Sequence, residues 1–128
     1  MSAAPKRILI VDDDEDIVES MKLMLESEGY EVAAARNSDE CMKSIEENRP
    51  DLILLDIMMP LLDGRTDCQK LKDYSGTAFL KIVMLTGKDD QHDRLLGFEM
   101  GADDYVTKPC TLPYIRRVIK KVLEREDD

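Results

Sequence analysis

Short apolar runs alternate with segments of helical period five times along the 128 residues, and this alternation limits the fold more than any other feature. "RILIV" (Arg7–Val11) reads as a first strand. From Glu15 to Glu28 the period is helical, with Ile17, Val18, Met21, Met24 and Leu25 on one side and Gly29 as a stop. "EVAAA" (Glu31–Ala35) is a second, short strand. Asn37 with Glu40 three residues later has the shape of a capping box, opening a helix that runs to about Asn48 before "NRP" breaks it. Leu52 to Leu55 form a third strand that runs straight into Asp56. "PLLDG" (Pro60–Gly64) is a turn, followed by a helix from about Arg65 to Tyr74, a strand "FLKIVMLT" (Phe79–Thr86) and a helix from about Asp90 to Met100 that ends at Gly101. "DDYVT" is a last short strand. A helix from Thr111 to about Glu126 has Leu112, Ile115, Val118, Ile119, Val122 and Leu123 on one face and Arg116, Arg117, Lys120 and Lys121 on the other.

Such alternation predicts an α/β fold with a five-stranded parallel sheet, right-handed crossovers and helices on both faces. The near-continuous apolar runs suit strands covered on both sides. The expected arrangement is a flavodoxin-like (βα)5 unit of strand order 2-1-3-4-5, filling residues 1–128 as one domain.

Composition removes several function classes. With 18 Lys and Arg against 28 Asp and Glu the formal charge is −10, so direct nucleic-acid binding by this domain is not expected. A cation, or a partner with a basic patch, suits that charge better. Cys41, Cys68 and Cys110 lack zinc-site spacing, and their odd number suggests reduced thiols in the cytoplasm. No apolar segment is long enough to span a membrane.

The polar residues that end the strands carry the chemistry. The first strand ends at Asp12 and Asp13, the third at Asp56, the fourth at Thr86 and the fifth at Lys108. In an open parallel sheet these C-terminal ends lie along one edge, where ligands bind. Three carboxylates converging there repel unless a cation compensates, and Mg²⁺ suits a small oxygen site that keeps several waters. Metal, ammonium and hydroxyl together are the groups that stabilise phosphoryl oxygens, and a carboxylate can itself be the nucleophile.

"ILIVDDDED", "DLILLDIMMPLLDG", "VMLTGKDD" and "GADDYVTKP", in that order and spacing, resemble the receiver domain of two-component response regulators over nearly the whole chain. The resemblance implies that Asp56 is the phosphoacceptor. It makes Asp12 and Asp13 the acidic pair that organises Mg²⁺ (Mn²⁺ as an alternative), Asp13 the more direct ligand, with Met58 adding its backbone carbonyl. Lys108 would pair with the phosphoryl group, Thr86 would hydrogen-bond it, and Tyr105 would change rotamer as Thr86 moves. Asp14 is expected to start the first helix rather than to bind metal. The implied phosphodonor is a histidine kinase or a histidine phosphotransfer protein, and the implied output is a downstream protein bound on the face of the last two helices. The family is a set of switches rather than enzymes, with slow autodephosphorylation at most.

Some positions depart from the family pattern. Tyr114 and Val118 stand where several dimerising regulators carry Glu and Arg, Cys110 replaces a common aromatic, and Lys81 replaces a common proline. None belongs to the phosphorylation set. In the helix Asp90–Met100, Leu95 and Phe98 share one side and Leu96 and Met100 another, so one pair is a candidate binding surface; His92 is expected to be solvated. The chain is expected to be a stand-alone receiver or one cut from a longer regulator. An aspartate-based phosphatase would want a second Asp at Met58. A flavin or nucleotide binder would want a Gly/Ser/Thr-rich loop where "DDDED" stands. A phosphorylation-independent interaction module of the same fold is the remaining alternative.

Overall fold

The computed structural model describes residues 5–56, 81–86, 103–107 and 111–124, with Ser38, Asp56, Thr86, Tyr105 and Thr107 described by their backbone alone. The helices expected at residues 65–74 and 90–100 lie outside these segments. So do Met58, Cys68, His92, Lys108 and Cys110.

Five strands form one parallel sheet in the order β2-β1-β3-β4-β5, as the alternation predicts. They are β1 (Arg7–Val11), β2 (Glu31–Ala35), β3 (Leu52–Asp56), β4 (Lys81–Thr86) and β5 (Asp104–Thr107). The described helices are α1 (Glu15–Ser27), α2 (Ser38–Glu47) and α3 (Leu112–Leu123).

Strand alternation divides the core into two layers. Leu9, Val11, Ile53, Leu55, Ile82 and Met84 pack with Cys41 and Ile45 of α2 on one face. On the other, Ile8, Ile10, Leu52, Leu54, Val83, Leu85 and Val106 pack with Met21 and Leu25 of α1 and with Ile115, Val118, Ile119 and Val122 of α3. The apolar stripes read for the two helices are thus the faces they bury; Ile17, Val18, Met24, Leu112 and Leu123 pack at the rims. β1, β3 and β4 are covered on both sides as expected. β2 is not: Ala33 and Ala34 are exposed, because β2 is the edge strand.

Local chemistry sets the helix ends. The first helix stops at Ser27, one residue before the expected Glu28, which instead serves as C-cap. Gly29 has φ +96°, its N–H donates to the Glu26 carbonyl (3.0 Å), and the Tyr30 N–H donates to the Leu25 carbonyl (3.2 Å). These two bonds make a Schellman motif, which needs the left-handed conformation that glycine adopts without strain. At α2 the Glu40 N–H donates to Asn37 Oδ1 (2.9 Å). The returning Glu40 Oε1 accepts from the Arg36 N–H (3.1 Å), not from that of Asn37. The capping box is therefore displaced by one residue on its return arm. α3 starts from Thr111 as N-cap, with Pro113 in its first turn, where the missing N–H costs nothing.

Two acids hold the opposite, N-terminal edge. The Arg7 N–H donates to Asp51 Oδ2 (2.8 Å) while the Asp51 N–H donates to the Arg7 carbonyl (2.8 Å). The Ile82 N–H donates to Asp103 Oδ2 (2.8 Å) while the Asp103 N–H donates to the Ile82 carbonyl (2.8 Å). Each reciprocal pair ties the start of one strand to the residue preceding its neighbour.

Leu54 is fully buried on the middle strand, so Leu54→Ala should lower unfolding free energy by about 2–5 kcal/mol in urea denaturation, through lost transfer energy and the cavity left behind. The Tyr30 phenol is raised above its ordinary value by burial first, then by the Glu28 and Glu124 carboxylates. The folded state therefore holds this proton more tightly than the unfolded chain. The stabilisation is fully present below the ordinary tyrosine pKa and is lost as pH rises through the raised folded value. Phenolate absorbance should show a late-titrating component, and Tyr30→Phe should diminish it and soften the alkaline loss of stability.

Candidate functional site

The strand registers decide which residues meet at the C-terminal edge. Val11 pairs with Leu55, so Asp12 and Asp56 leave adjacent strands side by side. Asp56 pairs with Leu85, one residue before Thr86, and Thr86 pairs with Thr107, one residue before Lys108. Tyr105 pairs with Met84, two residues back from that end. The backbone thus brings Asp12, Asp56 and Thr86 to neighbouring ends of β1, β3 and β4. Met58, Lys108 and the side chains of Asp56, Thr86 and Tyr105 lie outside the described residues.

The three acids after β1 have three different environments. Asp12 is only 2% exposed. Its N–H donates to the Ala35 carbonyl (3.1 Å), continuing the β1–β2 ladder by one residue, and its Oδ1 accepts from the Asp14 N–H (2.9 Å). Asp13 is exposed. Asp14 is the N-cap of α1, as its position suggested: its Oδ1 accepts from the Asp16 N–H (3.0 Å) and the Ile17 N–H (3.3 Å). That side chain satisfies two of the helix's four unpaired donors. Glu15 and Asp16, in the first turn, add negative charge where the helix dipole favours it.

Among the described residues no group of three His, Cys, Asp or Glu side chains forms a metal-ligand cluster. The donor set nevertheless fits a hard cation. Asp12 is a buried carboxylate, Asp13 an exposed one on the next residue, and the third acid, Asp56, sits at the adjacent strand end. All three offer oxygen, the ligand type that Mg²⁺ takes.

One feature of this edge went unmarked in the sequence. β2 also ends here, and the residue after it is Arg36, whose Nη2 lies 3.0 Å from Glu15 Oε1. A cleft of ≈330 Å³ is lined by Asp12, Glu15, Glu19, Lys22, Arg36 and Glu40, among others. The signal for it is the same as at the other strands, a polar residue directly after the strand's last apolar one.

At α3 the departures from the family pattern have a structural meaning. Val118 is 7% exposed and packs in the core, so the native side chain offers no charge at that position. Tyr114 is 49% exposed. Lys81, where proline is common, is buried at the start of β4.

An all-parallel 2-1-3-4-5 sheet with acids at the ends of its first and third strands is the architecture expected of a receiver domain. The chain belongs to the response regulator receiver domain family, whose sequence profile matches residues 8–122. It is 43% identical over 122 residues to the alkaline phosphatase synthesis transcriptional regulatory protein PhoP of Bacillus subtilis (strain 168), covering 95% of this chain and 50% of that one. It is 39% identical over 128 residues to the DNA-binding response regulator MtrA of Mycobacterium bovis, covering 100% of this chain and 55% of that one. The chain thus spans about half the length of these relatives. Among solved structures, a CheY-like response regulator receiver domain protein from Methanospirillum hungatei JF-1 superposes with a TM-score of 0.86 at 36% identity, over 94% of each chain. The receiver domain of NtrX from Brucella abortus gives 0.85 at 29% identity, over 93% of this chain and 99% of that one. Among the described residues no helix is long and apolar enough to cross a membrane.

The cap assignment has a direct consequence. Asp14→Ala should cost about 1 kcal/mol of stability in urea titration, the usual loss for an N-cap carboxylate. Asp13→Asn, which removes one carboxylate of a mutually repelling cluster and no cap, should leave stability unchanged or raise it in metal-free buffer.

Proposed function

We propose that residues 1–128 are one receiver domain that works as a phosphorylation switch, with Asp56 as phosphoacceptor and a histidine kinase or histidine phosphotransfer protein as donor. What supports the reading is the register Val11–Leu55, which sets the buried Asp12 beside the strand end carrying Asp56. Asp56 is ionised near neutral pH in the ordinary case, so it needs no general base to attack the donor phosphorus in line. Asp12, Asp13, Asp56 and the Met58 backbone carbonyl would hold Mg²⁺ (or Mn²⁺). The metal, when bound, supplies charge neutralisation for a phosphoryl group entering an acidic pocket. Lys108 would pair with the phosphoryl oxygens and Thr86 would hydrogen-bond them.

Thr86 and Tyr105 form the proposed switch. Drawing Thr86 toward a phosphoryl group frees space that the Tyr105 ring would enter, shifting the population between two arrangements of one fold. The end of β5 and α3 then carry the change to a downstream protein. The chain would thus act as a cytoplasmic signalling component rather than a turnover enzyme. The relatives, about twice as long, are named as transcriptional or DNA-binding regulators. In a longer protein of that kind DNA contact would fall to the other half, since this half carries a charge of −10.

With Mg²⁺ and acetyl phosphate, or a cognate donor, intact mass should rise by one phosphoryl group, and Asp56→Asn should abolish the gain. Phosphate mapped to another residue would falsify the assignment of Asp56. Binding of a downstream partner that is identical with and without beryllofluoride would favour the phosphorylation-independent module instead.

A further inference from the structure

We infer that Arg36 is a positioning residue that sets the affinity of this site for its divalent cation, acting through its ion pair with Glu15; this rests on the metal reading given above. Arg36 follows the buried Ala35 at the end of β2, and Ala35 accepts the Asp12 N–H, so the roots of Arg36 and Asp12 are tied to one hydrogen bond of the sheet. The backbone of Arg36 is held a second time, by its N–H on Glu40 Oε1 (3.1 Å). Its guanidinium reaches across to Glu15, three residues after Asp12, at 3.0 Å. Both side chains are largely solvated, 65% and 73% exposed, so the pair contributes little to folding. What it does is charge placement. The run from Asp12 to Asp16 contains five consecutive acids, and Arg36 and Lys22 are the cations lining the cleft that reaches Asp12.

A cation here has two effects of opposite sign. It lowers the negative potential that attracts Mg²⁺, so it weakens metal binding. It also lowers the repulsion felt by an anionic phosphodonor, so it speeds transfer. A unit charge within about one Debye length of a divalent ion, in a solvent-like dielectric at low salt, changes affinity by about two- to fourfold. A residue with a merely structural role would move both readouts in the same direction or neither.

The test is Mg²⁺ titration calorimetry on the full chain at about 20 mM and about 500 mM ionic strength, where screening separates a field effect from a contact. At low salt Arg36→Gln should bind Mg²⁺ about two- to fourfold more tightly, Glu15→Gln more weakly by a similar factor, and Arg36→Lys like the parent; the differences should vanish at high salt. At saturating Mg²⁺, Arg36→Gln should accept phosphate from acetyl phosphate more slowly. Parent-like Mg²⁺ binding by Arg36→Gln at low salt, or Arg36→Lys behaving as the Gln variant, would overturn the inference while leaving the phosphoacceptor reading intact. A parent protein that binds no Mg²⁺ at all would overturn the metal reading itself, and this inference with it.

Discussion

The in-register parallel pairing of β1, β3 and β4 is the constraint on which the rest of the molecule depends. Val11 against Leu55 and Leu55 against Met84 fix where three strands end relative to one another. A slip by one residue would turn every side chain of a strand to the opposite layer, so Leu9 would leave the α2 face and Ile8 the α1–α3 face. Both layers are apolar, and such a slip would not be punished by exposure alone. The ends of the strands supply the discrimination. Asp51 and Asp103 each accept a backbone N–H from the first or second residue of a neighbouring strand, and a slipped register would leave those carboxylates and donors mismatched.

Carboxylates accept backbone N–H groups at both edges of the sheet, but in different surroundings. At the N-terminal edge, Asp51 and Asp103 are engaged with the backbone. At the C-terminal edge, Asp14 is engaged as a helix cap, and Asp12 gives one oxygen to the Asp14 N–H while sitting almost wholly out of solvent. Burying an ionised carboxylate is costly unless charge or hydrogen bonds compensate.

The order of elements, the sheet topology and the two apolar layers were legible in the sequence because they rest on period and run length, which are local properties. Asp14 as a cap and Gly29 as a stop were legible for the same reason. The clamps of Asp51 and Asp103 were not. An aspartate before a strand looks like any turn residue until its partner, 44 or 21 positions away, is known. Arg36 is not legible as part of this edge because its partner, Glu15, lies on another element far back in the sequence. The exposure of β2 escaped because a run of alanines reads the same whether one face is covered or two. The displaced return arm of the α2 cap turns on backbone angles at Asn37 that residue types alone do not specify.

The packing of α3 limits how a signal could leave the molecule. Ile115, Val118, Ile119 and Val122 are buried along one ridge, so melting this helix would expose much of the α1–α3 layer. A switch worth only a few kcal/mol cannot supply that. The polar links of α3 are of another kind: Lys121 Nζ lies 3.8 Å from Asp104 of β5, and Arg116 Nη1 lies 2.7 Å from Glu28 beyond α1, both with solvated cations. Contacts of that sort re-form at little cost. A change at the end of β5 is therefore best transmitted by a small shift of an intact helix, with the exposed Tyr114 near its N-terminal end as the part a partner would meet first. A partner docking on this helix would meet the exposed Tyr114 ring beside the exposed basic residues Arg116, Arg117 and Lys120.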